Sequence, residues 1–158
     1  GQDAVIEQAN AGYDIVRTGS HMRMQANVEV AQVVGAAVTN IAGNELANTI
    51  SGNDAANQLS GGGGNDTLTG GGGNDTFVFA KNDGNDTITD FTIGQDQIQL
   101  NGFFTSPTDP AFQSFLTTLQ AAANGVHTIS DSHLLGVQIT LTNVNVNQLH
   151  ASDFIVHN

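Results

Sequence analysis

The chain has 158 residues, no cysteine and a formal net charge of −12, with only three lysine and arginine residues. The lack of a basic patch argues against nucleic acid or an anionic membrane surface as a partner, and no apolar run is long enough to insert into a membrane. Without cysteine, the chain has neither disulfides nor thiolate metal sites. This length predicts one domain, or a repeat module with an end piece.

Residues 1–42 contain two copies of a short pattern: glycine, any residue, aspartate, any residue, apolar residue. The copies are residues 1–5 and 12–16, and four valines that favour strands follow them: Val28, Val30, Val33 and Val34. We expect two or three imperfect coils here. Because the chain begins inside such a pattern, we also expect it to be a fragment of a longer protein.

Residues 61–78 consist of one nine-residue unit written twice. The unit is four glycines, any residue, an aspartate, any residue, a large apolar residue and any residue. Asn48 and Asn57 stand at the aspartate position of the two units before it. Four neighbouring units keep the pattern less regularly: residues 43–51, 52–60, 81–89 and 90–98.

The residue types of this unit suit a calcium ion, which takes roughly six to eight oxygen ligands from carboxylates and carbonyls. Glycine lets the backbone turn tightly with several carbonyls directed inward, and aspartate adds charge on a short side chain. The last three residues form a brief strand whose middle side chain points into the core. Two units make one coil, so alternate units stack with ions between their loops. The repeat predicts an all-β parallel β-roll that binds several Ca²⁺ ions.

A flexible glycine-rich linker is the alternative interpretation of this segment. Such a linker has no reason to keep an aspartate and a large apolar residue at a constant phase over successive units. The repeat therefore favours the folded roll.

These units resemble the RTX (hemolysin-type calcium-binding) repeat family, strongly over residues 43–100 and more weakly on either side. The resemblance implies that the aspartate at position six serves two ions, one with carbonyls of positions one and three and the other with carbonyls of positions two and four. In the two clean units the implied ligands are Gly61, Gly62, Gly63, Gly64, Asp66, Gly70, Gly71, Gly72, Gly73 and Asp75. In the surrounding units they are Gly43, Glu45, Asn48, Gly52, Asp54, Asn57, Asn82, Gly84, Asp86, Asp90 and Asp96.

Asn48 and Asn57 depart from the family pattern, because an amide oxygen can coordinate calcium but carries no full charge. We expect weaker ions or none at these positions, with Glu45 and Asp54 at position three as candidates to compensate. Whether Asp3 and Asp14 of the N-terminal pattern bind metal stays open.

Residues 101–158 are poor in glycine and are expected to form a C-terminal cap with one helix and additional strands. Asp109 and Pro110 predict a helix start, and the helix is expected to end near residues 123–125. Its predicted apolar face consists of Phe112, Phe115, Leu116 and Leu119. We expect this face to cover the open end of the roll, since a solenoid needs a cap; a partner-binding face is the alternative.

Residues 137–142 alternate between apolar and polar types and predict a strand, which Val144, Val146 and Leu149 are candidates to continue. The end of the chain, from Asp153 onward, places an acid before three apolar residues. This resembles the secretion signal of serralysin-type exported proteins, and a final edge strand is the alternative interpretation.

The sequence contains neither the H-E-x-x-H motif of zinc proteases nor the G-x-S-x-G motif of lipases. Four histidines of the C-terminal part lack zinc-site spacing: His127, His133, His150 and His157. We therefore expect a non-catalytic module, although its longer parent protein can be an enzyme.

Two hypotheses of function remain. The first is a secreted bacterial module that folds on calcium outside the cell and supports type I secretion and folding of a larger protein, with the type I secretion machinery as a partner. The second is a calcium-dependent module that binds a polysaccharide, as part of an extracellular polysaccharide-modifying enzyme or an adhesin. The scarcity of basic and aromatic residues disfavours the second hypothesis but leaves sugar binding through bound calcium open.

Overall fold

The computed structural model of the protein describes residues 14–123, 125 and 127–158. The N-terminal pattern at residues 1–13, which includes Asp3, lies outside the described residues. The helix is α1 (Pro110–Gln120), and two short 3-10 turns cover Val146–Gln148 and Ala151–Asp153. The strands are β1 (Ile15–Thr18), β2 (Met22–Arg23), β3 (Val30–Val33), β4 (Asn40–Ala42), β5 (Thr49–Ser51), β6 (Gln58–Ser60), β7 (Thr67–Thr69), β8 (Thr76–Ala80), β9 (Gly84–Ile88), β10 (Gln97–Asn101), β11 (Thr128–Ile129), β12 (Val137–Leu141) and β13 (Phe154–His157).

The strands form two sheets between which the chain alternates as it winds. The first sheet has the order β1-β3-β5-β7-β9-β12-β11, and the second has the order β13-β10-β8-β6-β4-β2. All pairs are parallel except the antiparallel pair of β11 and β12. The fold is therefore a parallel β-solenoid of about five turns with one helix near the C-terminus, and the predicted fold class is confirmed.

The nine-residue period places one apolar side chain of each short strand in the same inward column. In the first sheet Ile50 aligns with Leu68, which aligns with Ile88. In the second sheet Leu59 aligns with Phe77, which aligns with Ile98. All six are fully buried, and each such side chain stabilises the fold by about 1.5–3 kcal/mol relative to exposure.

The insertion of Phe79 and Ala80 lengthens β8 to five residues without breaking the register. Side chains of a strand alternate between its two faces, so an insertion of two residues keeps the inward phase. Phe79 becomes a second inward residue, buried opposite Leu100 of β10. The roll therefore widens at this coil instead of slipping.

The C-terminal helix begins as the sequence predicts, with Asp109 as N-cap and its Oδ1 accepting a hydrogen bond from the Ala111 backbone N–H at 2.9 Å. It ends at Gln120, earlier than predicted. The final turn tightens there, since the Ala122 N–H donates to the Leu119 carbonyl three residues back.

The apolar face of α1 is buried as an aromatic cluster at the C-terminal end of the solenoid. Phe112 and Phe115 contact Phe104, and both also contact Phe154 of β13 with ring centroids 6.0 and 5.5 Å apart. Because this face is occupied within the chain, it is not free as a partner-binding surface.

The two predicted C-terminal strands exist as β12 and β13, and they extend the two sheets of the solenoid. β12 pairs with β9, and β13 pairs with β10. The expectation that Val144, Val146 and Leu149 continue the sheet was wrong. Asn143, with φ of 62°, turns the chain out of the extended conformation, and a 3-10 turn follows.

Strands β1–β4 belong to the same two sheets as the regular repeats, so the imperfect N-terminal coils are continuous with the roll. No helix in the described ranges is long and apolar enough to cross a membrane.

Replacing Leu68 by alanine in the presence of calcium is expected to lower the free energy of unfolding by about 2–5 kcal/mol, because the substitution leaves a cavity in the inward column. Thr67→Ala is the matched control, since Thr67 points away from the core, and it is expected to change stability by about 0.5 kcal/mol or less. Urea denaturation followed by circular dichroism measures both changes. Equal effects of the two substitutions would contradict the register.

Candidate calcium site

The two clean glycine turns lie immediately before strands β7 and β8. Positions two and four of each turn have positive φ, a conformation that only glycine adopts at low cost. The φ values are 90° at Gly62, 112° at Gly64, 96° at Gly71 and 95° at Gly73. Glycine at positions two and four is therefore a structural requirement of these turns.

These turns stack on equivalent turns of the neighbouring coils. We call residues 43–48, 61–66 and 81–86 the first loop stack, and residues 52–57, 70–75 and 90–96 the second loop stack. The Gly63 N–H donates to the Asn44 carbonyl at 2.9 Å in the first stack, and the Gly72 N–H donates to the Asn53 carbonyl at 3.0 Å in the second. Each stack therefore lies along one edge of the solenoid.

The glycines at the implied ligand positions lie in close contact with neighbouring loops. A Cβ atom on Gly43 or Gly52 would overlap the carbonyl oxygen of Gly61 or Gly70 in the next coil. A Cβ on Gly84 would likewise overlap the carbonyl oxygen of Gly64, which places Gly84 directly on the first loop stack. No side chain can enter these contacts, so the carbonyls of successive loops stay close together.

The position-six carboxylates link successive coils in both stacks. In the first stack, Asp66 Oδ1 accepts a hydrogen bond from the Asn48 N–H, and Asp86 Oδ1 accepts one from the Asp66 N–H, both at 2.8 Å. In the second stack, Asp75 accepts from Asn57 at 2.8 Å and Asp96 accepts from Asp75 at 2.9 Å. One oxygen of each carboxylate is thus used to hold the coils in register.

The second oxygen of Asp66 and of Asp75 is buried and has no hydrogen-bond partner. Each Oδ2 lies against the first glycine of its own turn, where a Cβ on Gly61 or Gly70 would overlap it. Burying a charged oxygen without a partner costs several kcal/mol unless a cation or a proton neutralises it. The two aspartates therefore require an additional positive charge at their Oδ2 atoms.

Calcium fits this requirement, because it is a hard cation that binds carboxylate and carbonyl oxygens. Across the described residues, the ion pairs join only His133 with Asp131 and His150 with Asp153, so no lysine or arginine neutralises the loop acids. Within the same residues, no group of three or more His, Cys, Asp or Glu side chains could hold a metal by itself. A cation at Asp66 or Asp75 would therefore need backbone carbonyls as additional ligands.

Burial is the largest cause of raised pKa values among the loop carboxylates. It raises the pKa of Asp66 and of Asp75 to about 6 and the pKa of Asp86 to about 7. The pKa values of Asp83 and Asp96 are raised in the same direction, again mainly by burial. Repulsion between neighbouring carboxylates adds to this effect, as between Asp83 and Asp66 or between Asp96 and Asp75.

The acids at position three lie over the following glycine turn of the same stack. Glu45 Oε2 is 2.7 Å from the place of a Cβ on Gly63, and Asp54 Oδ1 is 3.5 Å from the corresponding place on Gly72. Asp83 also occupies position three, and the negative charge of Glu45 contributes to its raised pKa. Sequence reasoning missed Asp83, although its position in the unit matches that of Glu45 and Asp54.

Asp90 and Asp96 close the second loop stack by accepting backbone hydrogen bonds. Asp90 accepts from the Gly70 N–H at 2.9 Å and the Gly71 N–H at 2.8 Å. Asp96 Oδ2 accepts from the Thr92 N–H at 2.8 Å. Both carboxylates therefore anchor the last coil to the loops before it.

Asn82 and Gly73, two of the implied ligands, also have contacts outside the glycine turns. Asn82 has a φ of 67°, and its N–H donates to the Leu135 carbonyl at 3.2 Å, so Asn82 lies against the C-terminal cap. The carbonyl of Gly73 accepts a hydrogen bond from the Gln95 side chain. Their assignment as ligands stays a prediction.

Asp14 repeats the arrangement at the N-terminal end of the first sheet. Its N–H donates to Glu29 Oε2 at 2.9 Å, and its own Oδ2 is buried without a partner. Glu29 precedes β3 as Asp66 precedes β7, one residue before the strand begins. Sequence reasoning missed Glu29 because the glycine turn that marks the repeat is absent there.

The raised pKa values predict that the metal-free roll is more stable in mild acid than at neutral pH. A carboxylate with a raised folded-state pKa binds its proton more tightly when folded, so its stabilising contribution is complete below the ordinary value of 3.8. That contribution is lost as pH rises through the folded values of about 6 for Asp66 and Asp75 and about 7 for Asp86.

Thermal unfolding in EDTA, followed by circular dichroism at a series of pH values, measures this dependence. The midpoint is expected to fall as pH rises through this window, and the triple variant Asp66→Asn, Asp75→Asn, Asp86→Asn is expected to flatten the profile. A wild-type midpoint that rises over the same window would show that these carboxylates are not buried as described.

Comparison with known proteins agrees with this geometry. Residues 42–77 match the HemolysinCabind family, described as the RTX calcium-binding nonapeptide repeat, in four copies. No curated protein matches the chain. Repeats of this kind are typical of secreted proteins.

Two solved structures are similar to this chain. The extracellular lipase LipA from Serratia marcescens has a TM-score of 0.47 and 18% identity over 91% of this chain and 20% of the lipase chain, so this chain spans about a fifth of the lipase. The AlgE6R3 subunit of the Azotobacter vinelandii mannuronan C5-epimerase has a TM-score of 0.48 and 20% identity over 98% of this chain and 86% of that subunit. On the family match and the stacked glycine turns together, this chain carries RTX calcium-binding nonapeptide repeats, in four copies across residues 42–77.

Proposed function

We propose that this chain is a non-catalytic module that binds several calcium ions and folds on binding them outside the cell. The observation that carries this proposal is the buried, unpartnered Oδ2 atom of Asp66 and of Asp75. Each lies in a loop stack that offers backbone carbonyls and further carboxylates as oxygen ligands. Calcium is the common biological cation whose ligand preference matches that donor set.

The proposed ligands are the carboxylates and carbonyls of both loop stacks, from Gly43 to Asp96. The strongest candidates are the two aspartates with unpartnered oxygens and the glycine turns that contain them. Asp86 and Asp96 continue the same arrangement one coil further, while Glu45, Asp54 and Asp83 add negative charge beside it.

Calcium binding at these loops would supply folding free energy. The net charge of −12 and the mutual repulsion of the loop carboxylates oppose folding when no cation is bound. An ion that binds the folded form alone stabilises it in proportion to the logarithm of its concentration. Extracellular calcium modules typically bind at roughly 10⁻⁴–10⁻³ M, so the glycine turns of such a module would stay unfolded at cytosolic calcium levels.

This dependence would suit a bacterial protein that leaves the cell unfolded through type I secretion machinery and folds outside. β13, the segment that resembles a secretion signal, forms the last strand of the second sheet. The segment would be accessible to an exporter in the unfolded chain and paired with β10 in the folded one. Folding of the module would then support folding of a larger secreted protein.

A polysaccharide is the second candidate partner, and a groove on the outer face of the second sheet favours it. The groove has a volume of about 320 Å³, and its lining includes Arg23, His21, Asn40 and Gln58. Amide and cationic side chains of this kind can bind sugar hydroxyls and carboxylates. Retarded migration in calcium-containing gels cast with a polysaccharide would support this candidate, and unchanged migration in all such gels would exclude it.

Calcium added to EDTA-treated protein is expected to produce a cooperative gain of β signal in far-UV circular dichroism, with a midpoint of roughly 10⁻⁴–10⁻³ M. Magnesium is the control and is expected to have little effect at equal concentration, because it prefers a smaller octahedral site and retains its water. A chain that neither binds calcium nor changes its spectrum would overturn the proposal.

Asp66→Ala and Asp75→Ala are each expected to weaken calcium binding, because each removes the charge and the bridging oxygen of one loop stack. Asn74→Ala is the matched control, since Asn74 is exposed beside Asp75. Isothermal titration calorimetry of the three variants measures the difference. Wild-type affinity and stoichiometry in both aspartate variants would remove these residues from the ligand set.

A further inference from the structure

We infer that side-chain amides of Asn44, Asn48 and Asn53 take the place of calcium between the coils before Gly61. On this inference the roll has two parts, a metal-independent part up to β6 and a calcium-dependent part from Gly61 onward. The inference rests on the proposed function for the second part. In the first part, hydrogen bonds from asparagine side chains hold the coils together.

In the first loop stack, two asparagine amides bind the carbonyls of the preceding coil. Asn44 Nδ2 donates to the Gln25 carbonyl and to the Val28 carbonyl, both at 2.8 Å. Asn48 Nδ2 donates to the same Val28 carbonyl at 3.0 Å. These amide hydrogens bring partial positive charge to converging carbonyl oxygens, which is the electrostatic role of a cation between stacked loops.

The second loop stack repeats this arrangement independently. Asn53 Nδ2 donates to the Gly35 carbonyl and to the Ala37 carbonyl, both at 3.0 Å. Asn53 holds position two of its unit, as Asn44 does in the other stack. The same residue at the same position therefore clamps two carbonyls of the preceding coil on both edges of the solenoid.

The amide oxygens of these residues are also satisfied within their own loops. Asn44 Oδ1 accepts from the Leu46 N–H at 2.8 Å, and Asn53 Oδ1 accepts from the Ala55 N–H at 3.0 Å. Asn48 Oδ1 accepts from the Asn44 N–H at 2.9 Å. None of the three asparagines buries an unpartnered polar atom, whereas Asp66 and Asp75 each do.

The chemistry of the loops changes at Gly61. Position two becomes Gly62 and Gly71, which have no side chain to donate, and position six becomes aspartate. Charge changes at the same place: residues 14–60 contain four acids and two arginines, whereas residues 61–100 contain six aspartates and one lysine. Amide donors are thus absent from position two of the two clean units, where uncompensated carboxylates begin.

Just before Gly61, the second loop stack has fewer satisfied amide groups than the first. Asn57 Oδ1 accepts from the Asn53 N–H at 2.8 Å, but Asn57 Nδ2 is buried without a partner. The coil that ends at β6 should therefore be held less firmly than the coil that ends at β5.

Hydrogen exchange of the full chain, measured by mass spectrometry in EDTA and in saturating calcium, tests this division. In EDTA, the amides of β5 are expected to keep their protection to within about tenfold of the calcium-bound value, and those of β7 and β8 to lose at least about tenfold more than β5 does. Comparable losses in all three strands, together with calcium binding, would overturn the inference and leave the proposed function intact. Full protection throughout in EDTA, without calcium binding, would overturn both.

The double variant Asn44→Asp, Asn53→Asp replaces the donors by carboxylates and isolates their contribution. The protection of β5 is expected to fall at least about tenfold in EDTA, since a carboxylate cannot donate to the carbonyls of the preceding coil. Calcium is expected to restore the protection, because a carboxylate beside two carbonyls offers the oxygen ligands that calcium binds. Gln25→Glu is the matched control, because it adds a negative charge on an exposed side chain of the coil that Asn44 contacts and leaves the amide contacts in place. An unchanged β5 in the double variant would show that the asparagines do not hold this coil.

Discussion

The structure depends on carboxylates that are shared between successive coils. Asp66 and Asp75 each use one oxygen to hold a backbone N–H of the coil before and leave the other oxygen buried without a partner. The same aspartate therefore holds two coils in register and places a negative charge where water has little access. A positive charge at these oxygens would therefore stabilise the fold in this region.

The solenoid tolerates irregular units because alternation along each strand and pairing between coils are independent of each other. Along each strand, alternation decides which side chains point inward, so the extra pair Phe79 and Ala80 lengthens β8 without disturbing the column of Phe77 and Ile98. Between coils, backbone pairing requires only that the turns be short enough to stack. Imperfect N-terminal coils and the non-repeating strand β12 can thus extend the same two sheets.

The two ends of the described solenoid differ in how their polar groups are satisfied. Asparagine amides bind loop carbonyls near the N-terminal end, whereas at the C-terminal end Asp90 and Asp96 bind loop amides and α1 covers the apolar end. Between them lie the glycine turns, whose glycines have no side-chain donors and which contain no basic residue. The two clean glycine units, which have the least internal compensation, lie in the second half of the segment that matches the calcium-binding repeats.

The parallel roll, the inward column and the start of the helix could be predicted from the residues alone, because a nine-residue period and an N-cap are local features. The sequence could not show that Asp83 and Glu29 join the acidic stacks, since those contacts link residues about one coil apart in space. Nor could it show that α1 would end at Gln120 or that Asn44 would clamp two carbonyls. These contacts emerge in the folded chain, because they depend on which backbone groups the stacked coils leave within hydrogen-bonding distance.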